Sequence, residues 1–300
     1  VVFVQGEFCR VLTQDRLELQ GLLVSPENEL SRKALIHIHG LAGNFYENRF
    51  IDHIANAATN QGYYFLTFNN RGHDYISDFI YRDGVSSNLG YKQIGGAFEI
   101  FKDCVYDISA WIDFLKSRGI SEIIIQGHSH GALKATYFLA NNNDPEIKGL
   151  ILLSPSDDIG LQKADLGEKF DEVLSIANDM VSKNKGKGLM PSESYVYPIS
   201  AATYVDSFSK NSPLGIFDKT NTGADMKAAL KCIAQPVIVI VGTRNEAFLD
   251  GPNSFIDHIH YLFNHSTKFE GHIIKGAPHN YLGFETEVAQ KIEEWLEMAK

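Results

Sequence analysis

No stretch of this sequence is apolar for long enough to cross a membrane as a helix. Its opening residues, Val1-Val2-Phe3-Val4-Gln5, alternate like a strand and lack the basic leader of a signal peptide. An initiating methionine is missing too, so the natural start is expected to lie upstream, and cytoplasmic residence is the expectation. Positive charge is scarce. The 27 Lys and Arg stand against 37 Asp and Glu for a net charge of −10, which argues against nucleic acid or an anionic membrane as partner, since both need a basic footprint. Cysteine is equally sparse: Cys9, Cys104 and Cys232 are odd in number and far apart, fitting reduced, buried thiols better than a disulfide framework or a zinc site. The remaining composition is ordinary. With 44% hydrophobic and 21% charged residues, disordered and fibrous classes drop out, and 300 residues suit one large α/β domain with an insertion.

Two segments near the start, 7–12 and 17–24, alternate in the strand manner and are separated by the turn Thr13-Gln14-Asp15-Arg16. From residue 33 onward, apolar runs and helical patterns take turns. Strands are expected at 33–38, 62–68, 123–126 and 150–153, with helices at 49–61, 97–117 and 133–141, which implies a mostly parallel sheet covered on both faces. Between 160 and 235 the alternation stops, and polar, helix-capable segments such as 170–181 and the lysine-rich 183–188 take over. A strand at 236–241 resumes the sheet, and a last helix over 286–300 carries Val288, Ile292, Trp295 and Ala299 on one face as a core stripe.

The most informative stretch is Gly127-His128-Ser129-His130-Gly131, placed between the apolar run Ile123-Ile124-Ile125 and a helical pattern. A strand, a sharp turn and a helix with serine at the apex form a nucleophile elbow, in which glycines two residues either side let the strand and helix backbones approach. A serine hydroxyl is a poor nucleophile at neutral pH and needs a histidine base and an oxyanion hole. His279 lies in the loop Gly276-Ala277-Pro278-His279-Asn280 before the last helix, and the strand 34–38 runs into His39-Gly40-Leu41-Ala42-Gly43. The order serine, then a late histidine, differs from that of chymotrypsin or subtilisin.

On these residues the chain resembles the α/β-hydrolase superfamily over nearly its whole length. The segments 149–157, 190–201 and 276–281 are similar to a branch that includes fungal siderophore esterases. The resemblance implies an α/β-hydrolase fold with a mostly parallel central sheet, helices on both faces and a helical lid inserted after the sixth strand. The core is then 1–159 and 236–300, and the lid 160–235. It further implies backbone amides of Leu41 and His130 as the oxyanion hole.

The third triad member departs from the family. Related hydrolases read Gly-x-x-Asp-Glu after the seventh strand, whereas this chain has Gly242-Thr243-Arg244-Asn245-Glu246. An amide can hold the histidine ring but cannot stabilise an imidazolium, and the corresponding Asp to Asn change in a serine protease costs about 10⁴ in turnover. Asp157, after the sixth strand, is a substitute acid somewhat better placed than Glu246, with helix capping as its bland role and Asp158 as its competitor; an amide-assisted pair is the remaining option. The expected activity is a serine hydrolase cleaving a carboxylic ester, or a thioester or amide, of a small organic molecule through an acyl-enzyme. No cofactor or metal is called for, since the histidine pairs lack acidic or cysteine ligands at zinc spacing. An acyltransferase using the same acyl-enzyme is the rival enzyme class. A small-molecule binding protein on a degenerate hydrolase frame is the rival outside catalysis, with Asn245 as its support.

Overall fold

The structure is a computed structural model and describes residues 4–28, 30–82, 89–219 and 224–298. The chain begins with the hairpin β1 (Glu7–Leu12) and β2 (Glu18–Val24), then β3 (Lys33–Ile38), α1 (Phe50–Asn60) and β4 (Tyr64–Phe68). A short antiparallel ribbon follows, β5 (Asp78–Arg82) with β6 (Leu89–Gln93). Next come α2 (Cys104–Ser117), β7 (Glu122–His128), α3 (His130–Asn141) and β8 (Ile147–Leu153). Four helices, α4 (Asp158–Leu166), α5 (Phe170–Ser182), α6 (Ala201–Phe208) and α7 (Ala224–Leu230), separate β8 from β9 (Val237–Arg244). The chain ends with α8 (Pro252–Leu262), β10 (Phe269–Pro278) and α9 (Glu285–Met298).

The main sheet has the order β1-β2-β4-β3-β7-β8-β9-β10, antiparallel at β1, β2 and β4 and parallel from there on. Parallel strands are buried on both faces, which is why β3, β7 and β8 read as continuous apolar runs. Their side chains alternate between two cores. Ile36, Ile125 and Leu152 join Trp111 and Leu133 on one face, while Leu35, Ile124 and Ile151 join Phe50, Ile54 and Trp295 on the other. The chain leaves β3 to build β4 on one side and returns to add β7 on the other, so a crevice opens at the carboxyl ends of β3 and β7.

Three expectations need amendment. The helix expected from Ala97 starts at Cys104, because the N–H groups of Gly96 and Ala97 bond to Asp74 and Tyr75 in the loop after β4 instead. Cys9 and Cys104 are buried as expected, but Cys232 is exposed. The stripe on α9 buries Val288, Ile292 and Trp295, while Ala299 lies outside the described residues. Among the described residues, no helix is long and apolar enough to cross a membrane.

Candidate active site

The strand β7 ends in a turn whose apex, Ser129, has φ 56° and ψ −128°. A left-handed backbone of this kind is strained for any residue but glycine and persists only where the surroundings hold it. Here the Ser129 N–H donates to Leu153 O at 2.9 Å and Ser129 O accepts from Ala132 N at 2.8 Å. The flanking glycines meet a steric demand. A Cβ on Gly127 would come 2.2 Å from Gly131 O, and one on Gly131 would come 2.3 Å from Ile38 O.

The loop after β3 runs against this apex, since a Cβ on Gly40 would lie 3.0 Å from Ser129 Cβ. His39 pins that loop. Its Nε2 accepts the Asn70 N–H at 3.1 Å, which leaves Nδ1 to donate to Gly40 O at 2.8 Å, and burial holds the ring neutral with its pKa well below the ordinary histidine value. Leu41 therefore sits at the edge of the serine turn. Leu41 and His130 both line a narrow cavity beneath the helices that follow β8, with Phe101, Tyr195 and Leu214 as apolar walls.

His279 arrives from the other side, one residue past the end of β10. Asn245 Oδ1 accepts from the Ala247 N–H at 3.0 Å, which fixes the orientation of the amide, and its contact with His279 Nδ1 at 2.7 Å must therefore be a second donation to the same oxygen. Nδ1 carries the proton and Nε2 is left basic. Burial lowers the pKa of His279, with the charges of Glu246 and Asp158 pulling the other way. The amide is an imperfect partner: Asn245 Nδ2 is buried with nothing to bond. The loop itself is anchored to the core, because His128 Nε2 donates to His279 O at 3.0 Å and Tyr281 OH donates to Ile240 O at 2.7 Å.

The acids named from the sequence lie elsewhere. Asp157 does not turn to His279; it caps α4, its Oδ1 accepting the Gly160 N–H at 2.9 Å, and burial pushes its pKa up to about 6. Glu246 is exposed and reaches His279 only through its field. Asp158 bonds a different histidine: its Oδ2 lies 2.7 Å from His130 Nδ1. Burial raises the Asp158 pKa, but the His130 bond outweighs it and leaves the carboxyl below its ordinary range. This His130–Asp158 couple was not anticipated, although both histidines flanking Ser129 stand out in the sequence. A second buried pair, Lys134 Nζ to Glu99 Oε1 at 2.6 Å, also borders the cavity and was signalled only by a lysine within the apolar run Ala132-Leu133-Lys134-Ala135. Arg71 ties loops together: it is almost fully buried and pairs with Asp107 at 2.8 Å and Asp15 at 3.0 Å. Among the described residues, no three metal-ligating side chains gather where an ion could be held.

The family described as alpha/beta hydrolase fold matches residues 33–178, the stretch that contains the β3 loop, the serine elbow and the start of the helical insertion. Together with the strand order, this match shows that the chain has the α/β-hydrolase fold. Solved structures agree on the fold. An esterase of Pyrococcus furiosus is similar at 17% identity, with 98% of this chain and 91% of that one covered and a TM-score of 0.63. Est1E of Butyrivibrio proteoclasticus, solved with ferulic acid bound, is similar at 19% identity over 97% and 100% of the two chains, TM-score 0.62. The esterase domain of a Rhodothermus marinus protein shares 13% identity over 98% of each chain, TM-score 0.59. No curated protein sequence matches the chain.

Proposed function

We propose that this protein is a serine hydrolase acting on carboxylic esters of small organic molecules through an acyl-enzyme. Ser129 attacks the carbonyl, His279 Nε2 accepts the serine proton and returns it to the leaving alcohol, and the Leu41 and His130 amides hold the tetrahedral oxyanion. The observation that carries the reading is the strained backbone of Ser129, held left-handed at the carboxyl end of β7 beside the loop of His279. Backbone strain retained at a half-buried turn points to function. Esterases among the structural neighbours, at 13 to 17% identity, are consistent with this chemistry. The insertion 160–235 acts as a lid, since Tyr195, Ile199, Thr203, Ser207 and Leu214 from that segment wall the cavity beside Leu41 and His130.

Asn245 sets the rate. Its amide oxygen orients His279 in the productive tautomer but offers no charge to the imidazolium, so turnover is slow relative to a triad with a carboxylate. The same amide favours the second reading, a binding protein on a hydrolase frame. A fluorophosphonate probe separates the two: wild-type protein should be labelled at Ser129, Ser129→Ala should not, and His279→Ala should be labelled far more slowly. Wild-type protein that stays unlabelled, folded and monodisperse would refute the esterase reading.

A further inference from the structure

Resting on the esterase reading, we infer that Lys134 is a positioning residue of the oxyanion hole, setting the direction of the Leu41 amide through Asn70 and His39. Lys134 is buried on α3, one turn along from His130, whose amide is the other donor. Burying an ammonium is costly unless its protons find partners. Lys134 Nζ donates to Glu99 Oε1 at 2.6 Å and to Asn70 Oδ1 at 3.0 Å. Glu99 supplies the countercharge, and Asn70 the connection.

That connection is a line of buried groups. Asn70 Oδ1 also accepts the Gly72 N–H at 2.9 Å, so the amide is held by its oxygen from two sides, and its Nδ2 reaches His39 O at 3.4 Å. With the side chain so fixed, the backbone N–H of Asn70 donates to His39 Nε2 at 3.1 Å, and His39 Nδ1 donates in turn to Gly40 O at 2.8 Å. Burial keeps the His39 ring neutral and the charge of Lys134 adds to the effect, so Nε2 stays an acceptor. Gly40 O and the Leu41 N–H belong to one trans peptide and point in opposite directions. A carbonyl turned toward the His39 ring, and bonded by the Gly43 N–H at 3.2 Å as well, thus turns the Leu41 N–H away from that ring, where it has no acceptor among the described residues. A free N–H beside the nucleophile is what an oxyanion needs, and a Cβ on Gly40 would lie only 3.5 Å from Ser129 Oγ.

The two donors stand on different elements, and Lys134 spans them. Leu41 follows β3, whereas His130 opens α3. Their backbones touch at the base, where a Cβ on Gly131 would meet Ile38 O at 2.3 Å and His39 O at 2.5 Å. That contact fixes the distance between loop and helix, and the bond from Lys134 to Asn70 one turn further along fixes the tilt of the Gly40–Leu41 peptide.

The test breaks the line in two ways. Asn70→Ala removes the bridge and leaves the Lys134–Glu99 pair closed, while Lys134→Met with Glu99→Gln removes both charges together, a replacement that buried ion pairs tolerate. Each should lower kcat on a p-nitrophenyl ester by about ten- to hundredfold with KM little changed, since a displaced donor costs less than a deleted one, worth about 10² to 10³. All three substitutions together should be no slower than the slower parent, because they act through one line. Affinity for an alkyl trifluoromethyl ketone, to whose carbonyl Ser129 Oγ adds while His279 takes the serine proton, should fall by the same factor as kcat/KM. The acid limb of the pH profile, which reports His279, should not move. A loss carried by KM with ketone affinity unchanged, or full additivity of the substitutions, overturns the inference. A readout without turnover is the Nδ1 proton of His39, whose exchange with water, followed by NMR, should quicken by about tenfold or more in both variants while the amides of β7 keep their protection. If the wild type neither hydrolyses an ester nor reacts with a fluorophosphonate, the esterase reading fails; quicker exchange still supports Lys134 as the residue that positions the loop, and unchanged exchange overturns it.

Discussion

Asn245→Asp is the substitution with the clearest consequence. It replaces one atom, the Nδ2 that is buried without a partner, and turns the group that accepts His279 Nδ1–H at 2.7 Å into a carboxylate. Two unit charges about 4 Å apart in surroundings of effective dielectric near 20 attract by about 4 kcal/mol. That is an upper bound on the extra stabilisation of the imidazolium in the transition state, equal to about 10³ in rate at 1.36 kcal/mol per tenfold. Two effects reduce it. Desolvation of a carboxylate at a site only 8% exposed opposes the gain, and the fields of Glu246 and Asp158 already favour the protonated ring. A rise in kcat between about tenfold and 10³-fold is therefore expected on a p-nitrophenyl ester. The pH profile supplies a second check. In the wild type, burial lowers the His279 pKa, so activity is retained above the ordinary histidine range and lost only as pH falls through the lowered value. The new carboxylate raises that pKa, so the acid limb of kcat/KM should move to higher pH. Unchanged kcat together with an unmoved acid limb would show that Asn245 does not orient the catalytic histidine.

Other consequences can be checked on the folded protein. Arg71→Met leaves Asp107, which has no exposed side-chain surface, as an uncompensated buried charge, and should cost about 3 to 5 kcal/mol in urea unfolding; a loss under 1 kcal/mol, about the worth of a surface ion pair, would contradict the burial argument. His37, His39 and His128 are held neutral by burial, His37 with its pKa lowered to about 3. Their contribution to stability is complete above the unfolded histidine value of about 6.5 and falls away below it, by about 1.4 kcal/mol per pH unit for His37 alone, so urea midpoints should drop steadily as the pH is lowered from about 7 to 5. A flat profile would mean that these rings are protonated in the native state. Gly127→Ala sets a Cβ against Gly131 O and should yield no soluble protein with native circular dichroism, whereas an active, soluble variant would remove the elbow from the mechanism.

Much of the site is legible in the sequence because local chemistry fixes it. Gly127, Ser129 and Gly131 announce the elbow through their spacing together with the apolar run before them and the helical pattern after them, and the apolar runs of β3, β7 and β8 announce a parallel sheet because both of their faces are buried. Asn245 was read at the position of the missing acid, and the bond to His279 falls there. The partners of the aspartates were not legible. Asp157 and Asp158 are adjacent, yet one caps α4 and the other crosses to His130, a choice made by the direction in which the chain enters a helix and invisible to sequence spacing. The ribbon of β5 and β6 escaped for another reason: each strand has five residues, too few for alternation to rise above chance. Lys134 has no partner within reach in sequence, and only the tertiary approach of Glu99 and Asn70 makes its burial tolerable.

The tether from His128 to the carbonyl of His279 has a consequence for how such a protein can change. His128 is the residue before the serine, and Tyr281, two residues after the histidine, is tied to Ile240 in β9. These ties hold the His279 loop to the sheet, whereas the loop of Asn245, which holds His279 Nδ1, is also bonded to the cap of α4, Asp157 N–H donating to Ala247 O at 2.9 Å. Under the proposed mechanism, the part of the insertion beyond that cap could be exchanged or rebuilt while the loop that carries His279 keeps its anchors in the sheet.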